Sequence, residues 1–201
     1  MGLKIPTKID MPMNQNIGAD ENPKNHQPKN ANAVTYKSDK LSMTAHNTGD
    51  IKTRVIGILC DINVNENSLN EFKNKLEKQG AICKIIAPKG GKIKSDKGTE
   101  IKVDENFLTV TSVCFEAIFV PDGISDQLKS HGTSKFLLNE TFKHCKAIAV
   151  NGNGKELLQN TDIPLDKMDR ALLIDKKPED FIKAIAAGRN WERELDPIVH
   201  A

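Results

Sequence analysis

The segment Cys145–Leu158 carries the clearest signal for chemistry in this chain. An apolar run, Ala147–Val150, precedes a turn built on two glycines, and a helix-like Lys-Glu-Leu-Leu follows. A strand, a glycine turn and a helix in this order form the elbow that raises a nucleophile above a parallel sheet. The elbow positions hold Asn151, Gly152, Asn153 and Gly154. The sequence therefore predicts the architecture of a catalytic site without the residue that would react.

The same glycine turn can be compared with two phosphate-binding motifs, and it matches neither. The Walker pattern needs a glycine five residues before its Gly-Lys pair and a hydroxyl residue after it, and Ala149 and Glu156 occupy those places. The dinucleotide fingerprint fails because Leu157 replaces its third glycine. The turn either offers its backbone N–H groups to an anion or simply allows the strand and the helix to pack closely.

Cysteine chemistry has one candidate, Cys60, at the end of an apolar run. A nucleophilic thiol needs a lowered pKa, and the following Asp61 has the opposite effect. The four cysteines lie far apart without a metal-ligand spacing, so no metal site is predicted. We expect reduced, buried thiols with packing roles.

Haem ligation and histidine catalysis find no support in the residue pattern. The single tyrosine, Tyr36, lies in a polar segment, and no histidine lies in a long apolar helical context. His131 and His144 flank the helical pattern of residues 133–143, where surface or helix-capping roles are expected.

The composition limits the classes of partner that this chain is expected to bind. The net charge is +2, from 29 basic and 27 acidic residues, so neither nucleic acid nor an anionic membrane is indicated. No apolar run approaches the length of a membrane span, and no leader pattern opens the chain. The prediction is a cytoplasmic protein with one folded domain.

The chain changes character near residue 50. Residues 1–50 hold four of the nine prolines and many asparagines, without apolar periodicity. Such a segment cannot bury enough apolar surface to offset its ordering entropy. We predict an extended or disordered strap over 1–50, ordered only against a partner, and a folded domain over 51–201.

The folded part alternates between strand and helix patterns. Strands are predicted at 55–60, 81–87, 117–120, 147–150 and 171–175, and helices at 68–79, 133–143 and after Lys177. Ser68 is the expected cap of the first helix, and residues 92–95 and 100–103 predict a small exposed hairpin. This alternation predicts an α/β fold with a doubly wound parallel sheet, whose site lies at the carboxyl ends of the strands.

Several longer blocks carry a family resemblance. They are Lys40–Met43, Gly49–Val55, Val103–Glu105, Thr111–Pro121, His144–Ala149 and Gly188–Arg193. In these blocks the chain resembles the C-terminal part of a large-subunit haem catalase, over roughly residues 40 to 195. Residues 3–14 resemble the last residues of the catalase core.

The resemblance implies a flavodoxin-like domain related to class I glutamine amidotransferases and PfpI-type proteins. In that family the domain is attached to a β-barrel haem core, which dismutates hydrogen peroxide as a tetramer. The haem-pocket residues of that core have no counterpart here. No haem site is therefore carried over, and no cofactor is expected in this chain.

The resemblance to PfpI-type relatives also suggests which residues of the elbow correspond to their catalytic residues. Aligned on Leu157-Leu158, their nucleophilic cysteine corresponds to Gly152, the following histidine to Asn153, and their acid to a position at or near Asn65. A triad of the usual kind is therefore unavailable, and no catalytic residue is predicted.

The function predicted from the sequence is a non-catalytic accessory domain. Its expected partners are a catalase haem core and the neighbouring subunits of a tetramer, reached through the N-terminal strap. Two alternatives stay open. One is a holdase or small-ligand-binding module that acts at the strand-end edge, and the other is a cryptic hydrolase that uses Cys60.

Overall fold

The computed structural model describes residues 40–41, 49–166 and 169–195. The chain divides into two units, Met1–Ser42 and Met43–Ala201. Only Lys40 and Leu41 of the first unit are among the described residues. The predicted strap thus lies almost wholly outside the described residues, and its boundary at residue 50 stays a prediction.

A parallel sheet forms the centre of the second unit. The strands of the described part are β1 (Val55–Leu59), β2 (Ile82–Ala87), β3 (Gly91–Lys94), β4 (Glu100–Val103), β5 (Glu105–Asn106), β6 (Ala117–Val120), β7 (Ala147–Val150) and β8 (Leu172–Ile174). Six of them pair in the order β5-β2-β1-β6-β7-β8, and every pair is parallel. This order confirms the predicted flavodoxin-like fold.

Helices cover both faces of the sheet. They are α1 (Glu66–Lys78), α2 (Asp126–Ser130), α3 (Gly132–Lys143), α4 (Lys155–Gln159) and α5 (Pro178–Ala186). The apolar residues of α1 and α5 belong to one core, and those of α2, α3 and α4 belong to the other. The doubly wound arrangement is thus confirmed. The sequence did not predict α2, because five residues are too few for a helical periodicity.

Side chains alternate strictly between the two faces of the sheet along each strand. In β6, Ala117 and Phe119 face one core while Ile118 and Val120 face the other. The ring of Phe72 stacks on that of Phe119, with centroids 3.9 Å apart and planes inclined by 7°. Because both faces are covered by apolar packing, polar chemistry is left to the two edges where the strands begin and end.

The predicted hairpin forms as the antiparallel pair β3 and β4. It is less exposed than expected, since Ile93 and Val103 are buried. Its turn holds the start of α1, where the Asp96 carboxylate accepts hydrogen bonds from the Asn65 side-chain amide at 2.9 Å and from the Glu66 backbone at 3.0 Å.

Two predictions were wrong in detail. The cap of α1 is Asn65 and not Ser68, because the Asn65 Oδ1 atom accepts the Ser68 backbone N–H at 2.9 Å. Cys114 is exposed rather than buried, since it lies in a single helical turn, Ser112–Cys114, outside the sheet. The other three cysteines are buried as expected.

Candidate functional site

Three loops meet at the carboxyl ends of the strands, where the fold predicts a site. The loop after β1 reaches the loop after β6, where the Asn65 backbone N–H donates to the Asp122 carbonyl at 2.9 Å. The Asp122 backbone N–H in turn donates to the Ser68 hydroxyl at 3.2 Å. At the other side of β6, the Asn151 backbone N–H donates to the Val120 carbonyl at 3.0 Å. The structure therefore brings the predicted loops together.

The elbow itself has the predicted geometry. Strand β7 ends at Val150, a single turn covers Gly152–Gly154, and α4 begins at Lys155. Gly152 has a φ of +54°, the left-handed conformation that favours glycine. A β-carbon built on Gly152 would overlap the carboxylate of Asp122. The space that a nucleophile side chain would need is therefore filled by an acid of the neighbouring loop.

The backbone N–H groups of the elbow are also occupied. The Gly152 N–H donates to the Asp175 carboxylate at 2.7 Å, and the Asn153 N–H donates to the Asp122 carboxylate at 2.8 Å. In an elbow enzyme such groups stabilise an oxyanion or hold an anionic ligand. Here two carboxylates of the chain itself take that place, so the geometry favours the packing interpretation of the glycine turn over the anion site.

Asn153, the position aligned with a histidine in PfpI-type proteins, is a structural bridge. Its Oδ1 atom accepts the backbone N–H groups of Gly123 and Ile124 at 2.8 and 3.0 Å. Its amide nitrogen donates to the Ile124 carbonyl at 3.0 Å. All these groups belong to the loop after β6, so the side chain joins two strand-end loops and has no free polar atom for chemistry.

Asn65, the position aligned with the triad acid, has a local structural role as the cap of α1. Its amide is neutral and bound at both ends, by the Ser68 backbone and by Asp96. An uncharged side chain cannot supply the acid of a triad.

Cys60 is fully buried and belongs to the core under α1 and α5. Burial raises the pKa of the thiol far above its usual range, and the neighbouring Asp61 carboxylate raises it further. Burial is the larger of the two causes. The sulfur lies 3.9 Å from the Ile58 carbonyl, toward which its S–H points. These properties are those of a packing residue.

Asp122, Asp175 and Ser125 are further polar residues at this edge; the sequence places Asp122 at the end of a predicted strand, but the contacts of all three were not predicted. The Ser125 hydroxyl donates to the Asp61 carboxylate at 2.6 Å, which joins the loops after β1 and β6. Asp122 and Asp175 both follow parallel strands. Their position at strand ends was the available signal, because side chains at these ends share one edge.

A cavity of about 300 Å³ also opens at this edge. It lies between Asp61 and Ile62 after β1, the 87–93 turn after β2, and Gln127 of α2. Lys89 and Lys92 contribute its positive charge. This cavity is separate from the elbow, whose residues do not line it.

Both described histidines hold the ends of α3, which confirms the expected capping roles. His131 Nδ1 accepts the Thr133 backbone N–H at 3.2 Å. His144 is the C-terminal cap, with Nδ1 3.1 Å from the Ser112 hydroxyl and Nε2 3.7 Å from the Glu140 carboxylate. Both ring nitrogens of His144 therefore face side chains of the same domain.

Within the described ranges, no group of histidine, cysteine, aspartate or glutamate side chains is arranged to hold a metal ion. Over the same residues, none of the helices has the length and apolar character needed to span a bilayer.

Comparisons with solved structures agree with the fold. A ThiJ/PfpI domain protein from Brachyspira murdochii has a TM-score of 0.51 and 22% identity, over 55% of this chain and 65% of that chain. A two-domain protein from Anabaena variabilis, with DJ-1/ThiJ/PfpI-like and ferritin-like domains, has a TM-score of 0.52 and 18% identity. That match covers 55% of this chain and 32% of the other.

In sequence, the chain is similar to several catalases. Catalase HPII of Pseudomonas aeruginosa is 28% identical over 83% of this chain and 24% of the relative, and Catalase HPII of Pseudomonas putida is 32% identical over 79% and 22%. Catalase-2 of Bacillus subtilis is 27% identical over 71% and 21%. The chain thus spans about a quarter of the length of the curated relatives that it matches. Residues 52–194 match the family model of the C-terminal domain found in long catalases, and the chain belongs to that family.

Proposed function

We propose that this chain is a non-catalytic accessory domain of a catalase-type assembly. In this proposal a haem core, supplied by another part of the assembly, decomposes hydrogen peroxide in the cytoplasm. The chain packs on that core and on neighbouring subunits of a tetramer, and it stabilises them. It binds no haem itself.

The observation that carries the proposal is the closed elbow. Gly152 offers no nucleophile, the Asp122 carboxylate fills the space of one, and the elbow N–H groups are bound to Asp122 and Asp175. An enzyme keeps such donors free for the charge that develops in its transition state. A domain that has lost this freedom while keeping a well-packed fold is suited to a structural role.

A small-ligand-binding role is the second candidate, and the 300 Å³ cavity beside Asp61 favours it. The hydrolase alternative is disfavoured by the burial of Cys60. A holdase would need an extended exposed apolar surface.

A domain exchange tests the structural role. Residues 49–201 of this chain would replace the matching part of Bacillus subtilis Catalase-2, and a variant with that part deleted is the control. We expect the exchange to raise the thermal midpoint of the assembly above that of the deletion variant, with peroxide decomposition retained. A midpoint equal to that of the deletion variant would contradict the accessory role.

A second experiment tests the absence of catalysis in this chain alone. We expect no stoichiometric Soret band on titration with haemin and no oxygen release from hydrogen peroxide. With a thiol-alkylating reagent at neutral pH, the exposed Cys114 should react first, and the buried Cys60 only on unfolding. Rapid labelling of native Cys60, together with an esterase or peptidase activity lost in Cys60→Ser, would favour the hydrolase instead.

A further inference from the structure

A groove lies at the opposite edge of the sheet, where β6 and β7 begin. It has a volume of about 360 Å³ and is lined by Val113, His144, Lys146, Arg189 and Trp191. We call it the amino-end groove. Its walls come from the turn before β6, the turn before β7 and the segment after α5. None of the five lining residues is acidic.

Lys146 is the unusual member of this group, because its side chain is only 3% exposed. Its ammonium group donates to the carbonyl oxygens of Ser112 at 2.6 Å and Phe115 at 2.7 Å. Burial lowers the pKa of Lys146, the nearby Arg189 lowers it further, and Glu116 opposes both effects. An ammonium group has three N–H donors, and two of them are used by these carbonyls.

The charge of Lys146 is thus poorly compensated by the chain. No carboxylate of the described residues forms an ion pair with it, and Glu116 instead approaches Arg189, at 3.8 Å. A buried charge without a counter-ion is costly, and the cost falls when an anion reaches it. The groove therefore presents a cation that would gain from a carboxylate supplied from outside.

Arg189 and two apolar side chains complete the surface. The Arg189 side chain is 33% exposed and is oriented by a hydrogen bond to the His144 carbonyl at 2.8 Å. Trp191 is 53% exposed and Val113 is 71% exposed. An arginine beside an exposed tryptophan is typical of the residues that dominate binding energy at protein interfaces.

The wall that carries Trp191 is firmly held. The Arg193 guanidinium forms a two-pronged ion pair with the Asp169 carboxylate, at 2.6 and 2.9 Å, and donates to the Lys146 carbonyl at 2.7 Å. It also lies over the ring of Phe142, 4.0 Å from the centroid. Because these contacts anchor Arg193, and with it the segment Trp191–Leu195, the groove is preorganised.

We propose that the amino-end groove docks an acidic segment of a partner protein, with a carboxylate bound by Arg189 near the buried Lys146 cation and an adjacent apolar side chain packed on Trp191 and Val113. Charge complementarity selects the carboxylate, and the two exposed apolar side chains favour a peptide over a free anion. The inference rests on the groove alone and not on the accessory role proposed above.

The experiment uses the only tryptophan of the chain, Trp191, as the reporter. A blocked peptide, Ser-Glu-Leu-Glu-Leu-Ser, is titrated into the full chain while tryptophan emission is followed. The controls are the same peptide with glutamine in place of glutamate, sodium acetate and inorganic phosphate. We expect saturable binding of the acidic peptide, weakened by added salt, and about tenfold weaker binding of the glutamine peptide.

Variants separate this site from general charge. Arg189→Gln should weaken binding of the acidic peptide about tenfold, whereas Lys176→Gln, the same charge change beside a different cavity, should leave it unchanged. The proposal would be overturned by equal binding of both peptides or by the lack of a saturable response. It would also be overturned if Arg189→Gln bound the acidic peptide as tightly as the unchanged chain. Acetate or phosphate binding as tightly as the acidic peptide would also overturn it, because the groove would then be a free-anion site.

Discussion

The two edges of the sheet contain similar kinds of loops but treat their polar groups in opposite ways. At the carboxyl-end edge, the carboxylates of Asp122 and Asp175 bind the elbow N–H groups, and Asn153 joins neighbouring loops. At the amino-end edge, the hydrogen-bond partners of the buried Lys146 cation among the described residues are carbonyl oxygens, and Lys146 lines a groove. The difference teaches that polar groups at one edge of a sheet can be satisfied entirely from within the chain while a cation at the other edge stays beside an open groove.

The largest effect is expected from a side chain placed at the closed edge. Gly152→Cys should lower the free energy of unfolding by about 3 kcal/mol, because its β-carbon overlaps the Asp122 carboxylate and its φ is left-handed. Urea unfolding measures this. Gly132→Cys is the control, since no atom lies within 4 Å of its β-carbon. Equal stability of the two variants would show that the edge is not closed.

A double variant sharpens the same comparison. Asp122→Ala combined with Gly152→Cys removes the overlap, so part of the lost stability should return. Removing the adjacent carboxylate should also lower the pKa of the new thiol, which then reacts faster with iodoacetamide than in the single variant. A thiol that reacts equally slowly in both variants would argue against a true elbow.

Asn153→Ala should have the next largest effect at the closed edge. The change leaves the Gly123 and Ile124 N–H groups without their acceptor, and a loss of about 2 kcal/mol is expected in urea unfolding. Asn160→Ala is the matched control, because the exposed Asn160 amide makes one hydrogen bond, to the Lys129 carbonyl. It should lose about 0.5 kcal/mol. Similar losses would mean that Asn153 is not a bridge.

A pH dependence is expected at the amino-end edge. Burial alone would raise the pKa of Asp169, but its hydrogen bonds to Arg193 outweigh this and hold the pKa below its ordinary value. Because the folded pKa lies below the unfolded one, the stabilisation is complete above the unfolded pKa of about 4 and is lost as the pH falls through the folded pKa.

Asp169→Asn tests this assignment. The variant should lose about 1.5 kcal/mol near neutral pH and should show a smaller decline in unfolding free energy below about pH 4 than the unchanged chain. Urea unfolding at a series of pH values provides both quantities. The same decline in both proteins would show that another carboxylate is responsible.

The smallest effect on stability is expected from Arg189→Gln. Its guanidinium is one-third exposed and makes one hydrogen bond, so the free energy of unfolding should fall by only about 0.5 kcal/mol. Loss of peptide binding with little loss of stability would distinguish a binding edge from a structural one. A loss as large as that of Asn153→Ala would remove the distinction.

The sequence predicted the architecture better than the site. Short apolar runs such as Ala147–Val150 predict strands that are covered on both faces. The strands and the elbow could therefore be located from the local sequence alone. The partners of the elbow could not, because Asp122 and Asp175 lie 31 and 23 residues from the groups that they bind. The amino-end groove likewise joins three distant segments. Asn65 and Ser68 are both favoured cap residues, so residue type alone did not decide between them.

The overlap between Gly152 and Asp122 has a consequence for engineering of the domain. A cysteine introduced at position 152 meets the Asp122 carboxylate, and a change of Asp122 alone removes the hydrogen bond to the Asn153 backbone. Each single change therefore costs stability on its own, and only the pair together makes room for a side chain at the elbow. The two positions are energetically coupled, so a thiol can be engineered into this elbow only when both residues are changed together.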